Sequence, residues 1–196
     1  MMDEDHLTQQ EKQALLSIAR QALENGVRGV SLPPLDLLAL TPRLQADGTS
    51  FVTLTINGML RGCIGSLEPN QSLAEDVREH AIAAALNDYR FPPVRINELS
   101  QIEIEVSRLT PLVSLEYDGP EDLFSRLRPG VDGVVIRDGV RRATFLPQVW
   151  EKLPDPAEFL DHLCAKMGAT PGLWRQKHLD VLIYQVEEFH EHPDST

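Results

Sequence analysis

Within Leu60-Arg61-Gly62-Cys63-Ile64-Gly65-Ser66 a thiol, a guanidinium and two glycines stand inside seven residues. A thiolate is a nucleophile and a soft ligand, and the permanent charge of Arg61 favours that form of Cys63 where the two groups are close. Residues two apart on a strand stand roughly 6 to 7 Å apart, so strong coupling requires Arg61 to bend over. Gly62 and Gly65 bracket the cysteine, where a glycine permits positive φ or lets another group approach the main chain. The chemistry these types suggest is nucleophilic or soft-ligand work by Cys63, an anion oriented by Arg61, and backbone amides around Gly62 and Gly65 facing a substrate. The alternative for Cys63 is a small apolar residue packed in a core. Arg61 needs an acceptor; Glu105 or Glu103 can supply it from within the protein, and otherwise Arg61 clamps a ligand anion.

Two strands must position these groups. Phe51 to Ile56 is β-branched and aromatic, Asn57-Gly58 is a strong hairpin signal, and Met59 to Ile64 returns apolar. A two-residue turn sets Ile56 opposite Met59, Leu54 opposite Arg61 and Val52 opposite Cys63, which places Arg61 and Cys63 on one otherwise aliphatic face. Ser72 with Glu75 then reads as a capping box, and Leu73, Val77, Ala81 and Ala84 form one helical stripe.

Elsewhere the chemistry is thin. His162 and Cys164 are two apart on a helix and do not share a face, which argues against a metal pair. His162 and Lys166 read as solvated surface, His80 as a hydrogen-bonded core histidine, and His190 and His192 as a disordered tail. No Ser-His-Asp order, P-loop, dinucleotide glycine motif or His-Glu-x-x-His occurs, and no metal site is expected. Two cysteines are too few for a disulfide framework or a four-cysteine zinc site, so both are expected as free thiols.

The 196 residues, 42% hydrophobic and 24% charged, suit one domain of two lobes. No apolar run approaches the ~20 residues that cross a bilayer. The acidic Met1 to His6 has no hydrophobic segment behind it, so a cytoplasmic location is expected. A net charge of −12 opposes nucleic acid as a partner, although Arg137, Arg141 and Arg142 lie close together.

In chain order, Thr8 and Glu11 cap a helix that Gly26 ends, and Ser31 to Thr49 is a connection with at most a short helix at Leu35 to Ala39. Gln101 to Thr110 alternates as a half-buried strand. Pro111 to Tyr117 is weakly extended, and Glu121 to Leu127 is a short helix. A second hairpin turns at Asp138-Gly139. Pro147 to Leu153 makes one or two helical turns, Asp155 caps a helix ended by Gly168, a short helix runs from Thr170-Pro171 through Trp174, and Asp180 to Phe189 is the last strand. The turn glycines Gly58 and Gly139, the caps Ser72 and Asp155, and the strands from Ile102 and Val181 are each about 80 residues apart, a β-β-α-β order used twice. The fold expected is therefore α+β. It has two packed lobes with mainly antiparallel sheets and flanking helices, lobe one near 50–110, lobe two near 130–190, and the helix at 8–25 packed on them. A cleft between lobes is the default place for a site. Cys63 falls opposite Thr144 in this alignment, so the thiol is outside the common scaffold.

Leu-Arg-Gly-Cys-Ile-Gly at 60–65 resembles the signature hexapeptide of the AMMECR family, the AmmeMemoRadiSam-system protein A group. Further matching stretches are Ala81 to Ala85 with Arg90-Phe91-Pro92-Pro93, Phe145-Leu146-Pro147-Gln148-Val149, and Phe159 to Gly168 followed by Trp174. The resemblance spans roughly Thr8 to Glu191. It implies a compact cytoplasmic α+β protein that belongs to a set with a Memo-type protein and a radical-SAM protein, and it brings no reaction or cofactor with it.

Three readings of function follow. In the first, the protein is an enzyme acting on a small anionic molecule or modified residue, with Cys63 as catalytic group and Arg61, Gly62, Gly65 and Glu105 binding substrate. In the second it is a non-catalytic protein-binding or scaffold module, and in the third, disfavoured by charge, it binds nucleic acid.

Overall fold

Thr8 starts the first helix with a reciprocal box: its hydroxyl accepts the Glu11 N–H at 3.2 Å, and the Glu11 carboxylate accepts the Thr8 N–H at 2.7 Å. The computed structural model describes residues 6–191, and the chain divides into two units, residues 6–109 with 187–191 and residues 110–186. Helix α1 (Gln9–Arg28) buries Leu15, Ala19, Ala22 and Leu23 along one stripe. It ends later than Gly26, at Gly29, whose φ of 68° closes the helix. Gly26 is a packing glycine: a Cβ there would lie 3.3 Å from Ile82 on α3 (Leu73–Leu86).

The connection after α1 contains a 3-10 turn at Leu37–Ala39 and a further short helix, α2 (Pro42–Gln45), which Pro42 begins because its missing N–H is an orphan at that position anyway. Strands β1 (Thr49–Ile56) and β2 (Met59–Gly65) form the expected hairpin, with φ of 52° at Asn57 and 74° at Gly58. With β3 (Ile102–Leu109) and β8 (Val186–His190) they make a sheet ordered β2-β1-β3-β8. Val52, Leu54, Ile104 and Val106 are fully buried in one core with Val77 and Ala81 of α3. Each Val or Leu so placed contributes about 1.5 to 3 kcal/mol relative to exposure. Ser72 caps α3 by accepting the Glu75 N–H at 3.3 Å; the Glu75 carboxylate turns to Arg78 and leaves the expected box half made.

The second unit repeats the strand order. Strands β4 (Val113–Ser114), β5 (Gly133–Asp138), β6 (Arg141–Phe145) and β7 (Asp180–Tyr184) form a sheet ordered β4-β7-β5-β6, so β6-β5-β7 matches β2-β1-β3. The turn between β5 and β6 is Gly139-Val140, one residue on from the expected pair, because Asp138 already pairs with Arg141. Helices α4 (Pro120–Arg126), α5 (Pro156–Lys166) and α6 (Leu173–Gln176) cover this sheet's core, where Trp150 stacks on Phe159 at 3.7 Å.

The last strand is two strands. Thr110 holds the break at Gln185, donating its N–H to the Gln185 carbonyl at 2.9 Å and accepting the Gln185 N–H on its hydroxyl at 2.8 Å. Beyond it Phe189 enters the first unit's core. Glu187 is buried there, accepting the Leu7 N–H at 3.1 Å and meeting Lys12 at 2.8 Å. Among the described residues no helix is long and apolar enough to cross a membrane.

Candidate functional site

The hairpin ladder keeps Ile56 opposite Met59, then slips: Thr55 pairs with Leu60, Leu54 with Gly62, Thr53 with Cys63 and Val52 with Ile64. Arg61 is the extra residue of a β-bulge. The expected pairings of Leu54 with Arg61 and Val52 with Cys63 are therefore wrong by one place, which moves Cys63 off the aliphatic face. It lies with Thr53 on the other side of the sheet, half-buried, and the Thr53 hydroxyl donates to its Sγ at 3.3 Å.

Gly62 shows why the bulge is there. It faces α3 so closely that a Cβ would lie 2.1 Å from the Ala84 carbonyl oxygen, and at Gly65 a Cβ would lie 2.3 Å from the Phe51 ring. Neither glycine has positive φ. The close approach expected of both belongs to helix and ring packing within the unit.

Arg61 finds its acceptor at neither Glu103 nor Glu105. Its Nε donates to Glu98 Oε1 at 2.8 Å and Nη2 to Oε2 at 3.1 Å, a bidentate pair on the 3-10 turn Ile96–Gln101. The same carboxylate accepts the Arg95 N–H at 2.8 Å. These bonds, led by that to Arg61, hold the Glu98 carboxyl below its ordinary range. Glu105 stands across β1 from the thiol, since Thr53 pairs with Cys63 on one side and Glu105 on the other. Two strand spacings separate Cys63 and Glu105, about 10 Å. Burial raises the Glu105 carboxyl pKa and nearby Glu188 adds to it, while His190 opposes.

The backbone of Cys63 is held by a pair the sequence reading did not single out. Its N–H donates to Asp88 Oδ2 at 2.9 Å, and its carbonyl accepts from Arg90 Nη2 at 3.1 Å. Arg90 closes the arrangement by donating Nε to Asp88 Oδ1 at 2.9 Å and Nη2 to Oδ2 at 2.7 Å. Asp88 is 4% exposed, and its bonds, first to Arg90, drive its carboxyl far below the usual range. The signal was an acid and a base two apart, directly after the helix and before Phe91-Pro92-Pro93. A second network follows the hexapeptide. Buried Asp76 accepts from Ser50 Oγ at 2.6 Å and Ser66 Oγ at 3.4 Å, and lies 3.1 Å from His80 Nδ1, so His80 is the hydrogen-bonded histidine expected.

Cys164 is fully buried in the second core and burial pushes its thiol pKa up; His162 is exposed. Lys166 donates to the Thr144 carbonyl at 2.9 Å. Arg141 pairs with Asp138, which also accepts from Lys177, so that part of the basic run is neutralised. His190 is not in a disordered tail but ends β8, while His192 lies outside the described residues. Among the described residues no three His, Cys, Asp or Glu side chains come together as a metal site. Cavities of about 190 Å³ beside Leu35 and Arg78, and about 840 Å³ between Arg20 and Gln101, are lined by residues other than Cys63.

Two antiparallel-sheet units of matching strand order, with a glycine-bracketed Arg-x-Cys on the edge strand of the first, define an α+β protein of the AMMECR type. The AMMECR1 family model matches residues 16–189, and the chain belongs to that family. It is 42% identical over 189 residues to a protein of Methanothermobacter thermautotrophicus, covering 94% of this chain and 96% of that one. A Methanopyrus kandleri protein is 38% identical over 195 residues, covering 95% of this chain and 91% of that one. The crystal structure of an uncharacterized Pyrococcus horikoshii protein superposes with a TM-score of 0.77 at 32% identity, covering 95% of this chain and 94% of that chain.

Proposed function

We propose that this chain is a cytoplasmic protein-binding module that meets its partners along the border of β2. The observation that carries this reading is the division of labour at the hexapeptide. Its charged and backbone groups at Arg61 and Cys63 are engaged by Glu98, Asp88 and Arg90, whereas apolar side chains beside them face solvent. Met59 is 70% exposed, Leu60 44%, Tyr89 95% and Ile96 60%. Leu60 adjoins Arg61, Ile96 lies two residues from Arg61's partner Glu98, and Tyr89 sits between the two residues that hold Cys63. Exposed aromatic and aliphatic groups ranged along one edge are the raw material of a protein interface. The partners this reading takes from the family resemblance are the Memo-type and radical-SAM proteins. A pull-down with each tests it: wild-type and Cys63→Ser chains should recover a partner and Tyr89→Ala should not. Failure of the wild-type chain with both, or loss on Cys63→Ser alone, contradicts it.

One observation favours a second reading, an enzyme using Cys63 on a small anionic molecule. The sulfur is half-buried and accepts a hydrogen bond from Thr53, which aims it to one side of the sheet. Arg61 and Arg90 each already hold a carboxylate, so an anion would have to displace Glu98 or Asp88 to reach either. The second reading expects the isolated protein to be alkylated at Cys63 well ahead of a free cysteine at neutral pH. A rate equal to that of the unfolded chain removes it. With a net charge of −12, nucleic acid stays the third reading.

A further inference from the structure

Strand β2 is the outer strand of its sheet, and in an antiparallel ladder every second residue points both its N–H and its carbonyl away from the neighbouring strand. Cys63 is such a residue, and both groups are occupied by side chains. Asp88 takes the N–H as a neighbouring strand's carbonyl would, and Arg90 supplies the carbonyl as a neighbouring N–H would. We propose that Asp88 and Arg90 are a built-in plug that stands in for a fifth strand and keeps β2 from pairing with the β2 of a second copy of this chain.

The second sheet carries the argument independently. Its outer strand on the matching side is β6, and the position equivalent to Cys63 is Thr144: Cys63 pairs with Thr53 and Thr144 with Val135, and Thr53 and Val135 each lie three residues before the residue that closes the turn, Ile56 and Asp138. The Thr144 carbonyl is likewise capped by a cation, Lys166 Nζ, at 2.9 Å. Two sheets with unlike side chains at this place both put a basic group on the same outward carbonyl. Bare edge strands are templates for pairing with other chains, and charged side chains on an edge are one of the ways proteins prevent it. A second copy is the natural occupant of an unplugged edge, because β2 beside β2 about a twofold axis makes the same bonds on both chains. Exposed Met59 and Leu60 on the strand would be covered as it formed. This inference needs no other protein and stands apart from the partner reading above.

The test is the full chain with Asp88→Ala and Arg90→Ala together, so that neither charge is left buried alone. Exchange of the Cys63 amide and sedimentation over a hundredfold range of concentration are compared with wild type. The expected results are Cys63 exchange at least tenfold faster and a dimer that grows with concentration beyond that of wild type. Unchanged exchange or unchanged association overturns the proposal. If the double variant does not fold, Arg90→Gln takes its place with the same two readouts, since it withdraws the guanidinium from the Cys63 carbonyl and leaves an amide donor near Asp88.

Discussion

The Thr53 hydroxyl donates to the Cys63 sulfur at 3.3 Å across the β1–β2 ladder, and this pairing exists only because Arg61 is an extra residue in β2. Without the bulge, Cys63 would lie opposite Val52, which is fully buried. Thr53→Val keeps the shape and removes the donor, so the variant should lose about 0.5 to 1.5 kcal/mol, the net worth of one hydrogen bond, in urea titrations. Equal urea midpoints in wild-type and variant chains would show that the hydroxyl does nothing for the hairpin.

Gly62 is expected to tolerate no side chain. A Cβ 2.1 Å from the Ala84 carbonyl forces α3 away from β2, and overpacking of this kind costs about 1 to 3 kcal/mol, more where backbone must shift. Gly62→Ala should lower the urea midpoint accordingly, and a midpoint within error of wild type would contradict the packing role. Both α3 and the turn at Asn57-Gly58 were legible in the sequence, because a capped stripe and a two-residue turn are local signals. The bulge was not. Leu60-Arg61-Gly62-Cys63 alternates acceptably without one, and what selects the slip is an α3 carbonyl 22 residues further on.

Arg61 and Glu98 should behave as one unit. Arg61→Ala leaves Glu98 half-buried without its guanidinium and is expected to destabilise the fold by about 1 to 2 kcal/mol, and Glu98→Ala in that background should cost less than it does alone. Additive losses in denaturant titrations would mean the pair is not coupled. Glu98 is not legible in the sequence because the nearest acceptors a strand offers Arg61 are Glu103 and Glu105, whereas the structure supplies one from a turn 37 residues away. The divided last strand is hidden for a like reason: Val181 to Phe189 reads as one extended run rich in apolar residues, and only the tertiary bond from Thr110 marks Gln185 as the break.

Glu11 gives a pH dependence of known sign. Burial raises its carboxyl, but hydrogen bonds from Thr41, Thr8 and Arg43 outweigh this and bring it from 4.5 to about 2. A depressed carboxylate stabilises the fold fully above its unfolded pKa and loses that contribution as pH falls through the folded value. The contribution is roughly 3 kcal/mol, lost between about pH 5 and pH 2. Glu11→Gln should flatten the fall in stability over this window, and an unchanged slope would place the acid sensitivity elsewhere.

In the proposed function the polar groups of the hexapeptide hold the fold while the apolar border of β2 meets other proteins. Calorimetric titration of the Memo-type and radical-SAM proteins with two full-length variants tests it directly. Tyr89→Ala, at a side chain 95% exposed, should weaken binding at least tenfold with stability unchanged, and Cys63→Ser should bind as wild type does. Wild-type affinity in Tyr89→Ala together with lost binding in Cys63→Ser would contradict the claim and return the thiol to the centre of the function.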